Sequence, residues 1–160
     1  MLSIREISLL NFPAIWGIAR ILSECGDDMY QKYNISHWKN SVFKSFLIVF
    51  YSAVRYSRTI MGVYDDKNMI GTYQISRYGD SLHFGKFAIS PNCSVRGLGS
   101  YCLEQMSLQA AEWGCNKLRC EVYDQSTHAM NFYLRRGFVE DGTDKTMKYT
   151  EIKLVKHLQQ

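Results

Sequence analysis

Hydrophobic and polar positions change period several times along this chain, and each change marks an element. Residues 3–9 alternate as a strand does. Asn11 then caps a helix with Pro13 in its first turn, and Ile15, Ile18, Ala19 and Leu22 recur on one face of it. Cys25-Gly26-Asp27-Asp28 is expected to break that helix, with a short helical piece over residues 29–33 ending near Asn34. Ser36 is read as the cap of a longer helix carrying Trp38, Val42, Phe46, Val49, Phe50 and Ala53, spaced four, four, three, one and three residues apart.

From Thr59 the period shortens to two. Residues 59–64 and 68–78 read as strands joined by the polar turn Asp65-Asp66-Lys67, and Gly79-Asp80 turns the chain into a strand over residues 81–89. Leu98, Cys102, Met106, Ala110 and Trp113 return to helical spacing, and Gly114 stands where a left-handed cap is usual. Residues 117–123 form a strand with Leu118, Cys120 and Val122 on one face and Arg119, Glu121 and Tyr123 on the other. Ser126 or Thr127 caps a helix with Ala129, Phe132 and Tyr133 inward, closed by Gly137 after Arg135 and Arg136. Residues 138–140 and 146–156 are the last strands, with a bulge expected near Thr150-Glu151. An antiparallel meander feeding a strand–helix–strand unit predicts an α/β sandwich with a mixed sheet, in one domain over residues 1–160.

Composition narrows the class. Hydrophobic residues make up 46% and charged residues 21%, which is ordinary for a globular domain. The net charge of +4 is mild and its cations are dispersed, so no nucleic-acid partner is expected, while acidic ligands are tolerated. The longest apolar run, residues 46–54, is too short to span a bilayer, and no membrane partner is expected. Five cysteines with neither close pairing nor metal-ligand spacing imply reduced thiols, a cytoplasmic location and no metal.

One stretch carries chemistry. Phe87-Ala88-Ile89-Ser90-Pro91 is a strand that breaks at proline, and Ser94-Val95-Arg96-Gly97-Leu98-Gly99-Ser100 is a glycine-punctuated turn into a helix. Such a turn leaves backbone N–H groups converging at the positive end of a helix dipole, where phosphate oxygens bind. Gly97 and Gly99 let the backbone approach a bulky ligand, and Arg96 adds charge. The same glycines also serve a plain turn. The stretch is not a nucleoside-triphosphate loop, because no Gly-Lys-Ser/Thr follows, and it lacks the third glycine of a dinucleotide fingerprint.

With Glu121-Val122, Ser126, Ala129, Tyr133 and Gly137-Phe138 following in order, the chain resembles the GCN5-related N-acetyltransferase superfamily. The resemblance implies a mixed, mostly antiparallel sheet flanked by helices, a three-layer sandwich with a central splay between two strands. It implies acetyl transfer from acetyl-coenzyme A to an amine in a ternary complex, by a monomer or homodimer. In those terms Ser94, Val95, Arg96, Gly97, Leu98, Gly99 and Ser100 grip the cofactor's diphosphate, and backbone amides near Phe87, Ala88 and Ile89 face the thioester oxygen. Ser126 stands where the family often has asparagine, and Asn131 is a substitute contact; Ser94 stands where it often has glutamine or arginine.

The catalytic side chains are assigned on the same basis. A lysine-like amine, with a pKa near ~10.4, must lose a proton before attack. Glu121 matches the glutamate base of ribosomal-protein-acetylating members, and its alternative is an ion pair with Arg119 or Lys117. His83, alternating with Gly85 and Phe87, is the second candidate, at a strand where some members place a glutamate near the position of Gly85. Tyr133 matches the tyrosine that protonates the departing thiolate. Asp27 and Asp28, with Tyr30, Tyr33 and Trp38 as walls, could receive the acceptor amine, although N-capping by the aspartates competes. The alternative function is a non-catalytic acyl-coenzyme A-binding module, motivated by Gly85, Ser94 and Ser126.

Overall fold

The computed structural model describes residues 1–159. In chain order the elements are β1 (Leu2–Ile7), α1 (Phe12–Tyr33), α2 (Val42–Arg55), β2 (Thr59–Asp65), β3 (Asn68–Tyr78) and β4 (Ser81–Ile89), then α3 (Leu98–Glu112), β5 (Lys117–Tyr123), α4 (Thr127–Leu134), β6 (Val139–Lys145) and β7 (Thr150–His157). The strands form a seven-stranded sheet in the order β1-β2-β3-β4-β5-β7-β6. Its parallel pair is β4–β5, while β1–β2, β2–β3, β5–β7 and β6–β7 run antiparallel. The mixed, mostly antiparallel sheet with helices is the predicted fold class. The chain divides into two compact units, one of Met1–Ser76 with Lys86–Cys102, the other of Arg77–Gly85 with the chain from Leu103 on.

In the first unit α1 and α2 pack on the sheet through Ile7, Ile15, Ile18, Val49, Ala53, Ile60 and Ala88. Each large aliphatic side chain so buried contributes about 1.5–3 kcal/mol relative to exposure. Asn11 starts α1 as expected, its side chain accepting from the Ala14 N–H at 3.2 Å. The expected break at Gly26 does not occur, and α1 runs unbroken to an αL cap at Asn34. Gly26 is there for proximity, not for a turn. A Cβ on it would lie 2.0 Å from the Trp38 carbonyl oxygen, so only glycine lets that backbone cross the helix. The expected Ser36 cap is also corrected. Ser41, extended at φ −63° and ψ 161°, caps α2 by accepting from the Lys44 N–H at 3.1 Å. Trp38 lies outside the helix and packs against the same core.

In the second unit β5 pairs with β7 from Lys117–His157 through Tyr123–Glu151. Leu118, Cys120 and Val122 are buried, as their alternation requires. β6 covers residues 139–145 rather than 138–140, and the irregularity falls between Glu140 and Thr143, not at Thr150-Glu151. Gly142, at φ +103°, supplies the backbone conformation that the bulge needs. Thr150 and Glu151 stay in register with Lys145 and Asp144. The parallel ladder joins Ser81, Leu82 and His83 of β4 to Lys117, Leu118 and Arg119 of β5 and goes no further. That is where the resemblance puts the splay. Among the described residues, no helix is long and apolar enough to cross a membrane.

Candidate active site

The glycine turn lies in the first unit. Leu98 is 2% exposed and pins the start of α3, while Ser94, Arg96, Gly97 and Ser100 stay exposed. Gly97 sits at φ +72° with open space where a Cβ would be, so it is glycine for its backbone angle. The Tyr101 amide bonds to the Gly97 carbonyl at 2.9 Å. Among the described residues, the N–H groups of Ser94 through Gly99 have no hydrogen-bond acceptor in the protein. A row of orphan donors running into a helix start is a binding surface for anionic oxygens. Val95 and Leu98 contribute main chain to it, since Leu98 turns its side chain to the core.

Upstream of the turn, β4 is bent by Lys86, whose φ of +49° is a left-handed value for a non-glycine residue. A left-handed φ at such a residue costs ~1–3 kcal/mol and re-aims the backbone groups around it. Phe87 packs edge-on to Tyr73, with ring centroids 6.1 Å apart. Ala88 is 4% exposed and belongs to the hydrophobic core, which leaves only its main chain for a ligand. The Cys25 thiol donates to the Ile89 carbonyl at 3.0 Å, and burial pushes that thiol up to about 12. Sequence reasoning missed the left-handed position of Lys86, which lies next to Gly85 within the strand.

The second unit brings the two candidate bases into contact. His83 Nε2 and Glu121 Oε2 are 2.6 Å apart, with side chains 18% and 30% exposed. The cations expected beside Glu121 have carboxylate partners of their own. Arg119 is engaged by Asp141 and donates to Ser81 Oγ, and Lys117 pairs with Asp80 at 3.0 Å. Those cations hold the Asp141 and Asp80 carboxyls below the usual carboxylate range, in each case chiefly through the hydrogen bond itself.

Tyr133 lies in an aromatic cluster, its ring centroid 6.0 Å from that of Phe84 and 5.2 Å from that of Phe138. Burial pushes its phenol well above the ordinary tyrosine value, and the Cys120 sulfur adds to the shift. Cys120 and Glu121 are successive strand residues and so face opposite sides of β5. Tyr133 and the His83–Glu121 pair lie in the same unit.

The remaining expected contacts fare differently. Ser126 is 4% exposed and makes no side-chain cap bond, and Asn131 is exposed on α4. Asp27 and Asp28 cap nothing, because both lie inside α1, where Asp28 pairs with Lys32 at 3.2 Å. The Tyr30 ring is covered by the Lys39 ammonium, 3.8 Å from its centroid. Among the described residues no three His, Cys, Asp or Glu side chains gather as a metal site.

This architecture is that of known N-acetyltransferases. The PaiA N-acetyltransferase of Thermoplasma acidophilum, solved with coenzyme A, matches at a TM-score of 0.73 and 16% identity over 98% of this chain and 99% of that one. The ribosomal-protein-S18-alanine N-acetyltransferase of Escherichia coli matches at 0.70 and 17% identity, over 100% and 96%. A spermidine N-acetyltransferase chimera from Vibrio cholerae matches at 0.68 and 16%, over 98% and 95%. No curated protein matches the chain in sequence. The sequence model of the acetyltransferase (GNAT) family matches residues 15–138. The chain belongs to this family and is an acyltransferase.

Proposed function

We propose that this protein transfers the acetyl group of acetyl-coenzyme A directly to a primary amine, of a small molecule or a protein, within a ternary complex. The observation that carries the reading is the 2.6 Å contact of His83 with Glu121, which gives one strand face a shared proton acceptor. Glu121 supplies a carboxylate where Gly85 offers none, which speaks against one of the three motives for the binding-module alternative; Ser94 and Ser126 are the other two. The orphan amides from Ser94 to Gly99 suit a diphosphate, with Arg96 beside them. Ser100 closes that turn, and Ser126 and Asn131 are the α4 positions assigned to the cofactor.

In the proposed reaction the ammonium substrate gives a proton to the Glu121–His83 pair, directly or through water. The free amine attacks the thioester carbon, and the carbonyl oxygen gathers charge opposite the amides near Phe87 to Ile89, which the Lys86 bend aims. A carbon–nitrogen bond forms, the attacking nitrogen gives its second proton to solvent, and the carbon–sulfur bond breaks as the carbonyl re-forms. Tyr133 gives its proton to the leaving sulfur and regains one from solvent. Because its pKa is raised, the phenol is fully protonated at neutral pH. The test is release of free coenzyme A thiol from acetyl-coenzyme A across a panel of amines and N-terminal peptides. Thiol released in step with acetylated amine is the expected result, and cofactor binding without release on any acceptor would overturn the reading.

A further inference from the structure

Helix α2 is inverted relative to an ordinary surface helix. It buries Ser45 and Ser52 together with Val49 and Ala53, yet turns its larger apolar side chains outward. Phe43, Leu47 and Tyr51 follow at one-turn spacing, 62%, 49% and 62% exposed, and Val54 is 56% exposed. α1 adds Phe12 at 53% and Trp16 at 38%. The two sets are continuous, because Phe12 lies 6.4 Å from both Phe46 and Phe50, and Trp16 lies 5.8 Å from Phe46. A helix that is apolar on both sides is normally covered on both.

We infer that this face is a homodimer contact, covered by the same face of a second copy. Taking ~150–250 Å² for each large side chain, the exposed shares leave roughly 650 Å² of apolar surface. That exceeds what a monomer usually leaves in one patch and approaches the ~800 Å² per partner of a stable interface, the polar rim supplying the remainder. The patch is aromatic at its centre and carries no charge there, with Lys44 and Arg55 at the two ends of α2, which is the make-up of an interface core and rim. A helix that lies on a lipid surface shows a row of cations along its polar face. In α2 that opposite face is the protein core, with two cations in all, so a second copy is the better occupant.

Sedimentation equilibrium of the full chain from about 1 to 100 µM, together with co-sedimentation on phosphatidylglycerol vesicles, decides the matter. The expected mass is twice 18.6 kDa. Leu47→Glu should weaken the dimer by about 30-fold or more while the circular dichroism spectrum stays the same. Phe43→Lys should act alike, providing a second variant if Leu47→Glu misfolds. A monomer at the top concentration, a dimer that folded forms of both variants leave intact, or a monomer that binds the vesicles would each overturn the inference. This test is independent of catalysis, so its failure leaves the acetyl-transfer reading untouched.

Discussion

The glycine turn before α3 and the residues around β5 answer different chemical needs by different means. The turn presents main-chain amides whose positions depend on φ and ψ, so most of its side chains are free to vary. In the proposed reaction the β5 region works with three side chains, His83, Glu121 and Tyr133, whose identities are the chemistry. A backbone site should tolerate substitution except where an angle is at stake. A side-chain site should fail at single atoms.

Tyr133→Phe removes one oxygen and should show the largest effect. Turnover is expected to fall about 10²–10³-fold, with acetyl-coenzyme A affinity by calorimetry within about twofold. Retained turnover would end the acid assignment. The sign of the pKa shift adds a pH test. A phenol raised above its usual ~10 stays protonated through neutrality, so its alkaline limb should lie above pH ~10, and folding stability tied to its neutral form should be lost only as pH rises past ~10.

Glu121→Gln comes next, with an expected loss in kcat/KM of about 10²-fold, and His83→Ala should cost about tenfold. If the two act as one pair, the double variant should lose little more than Glu121→Gln alone; multiplicative losses would separate them. On the other side of the comparison, Gly97→Ala forces an L side chain to φ +72° and should weaken acetyl-coenzyme A binding about five- to tenfold, the equivalent of ~1 kcal/mol of strain, while Ser94→Ala stays within about twofold. Equal effects would mean that the serine hydroxyl, not the backbone, holds the ligand.

The smallest effect belongs to Asp141→Asn. A carboxyl held below its usual ~3.9 adds stability above that pH and loses it as pH falls through the lowered value. Acid unfolding followed by fluorescence should therefore begin at slightly higher pH in the variant. Because the pair is exposed, the shift should also shrink in high salt.

Reading the sequence served the backbone site better, for a physical reason. Gly97, Pro91 and the helical recurrence of Leu98, Cys102 and Met106 are local signals, and β3, β4 and β5 were legible over their full lengths. The His83–Glu121 contact joins residues 38 apart through a parallel ladder, and no local pattern encodes that register. Gly26 misled because glycine in a helix usually ends it, whereas here a distant carbonyl needs the space. Ser36 misled because two serines could cap α2, and tertiary packing chose Ser41.

The thiols carry a last consequence. A protein that handles an activated acyl group must avoid becoming acylated itself. With Cys25 and Cys102 pushed up to about 12 and Cys120 raised still further by burial, each carries on the order of one thiolate in 10⁵ molecules or fewer at neutral pH. Self-modification at these three sulfurs is thereby suppressed.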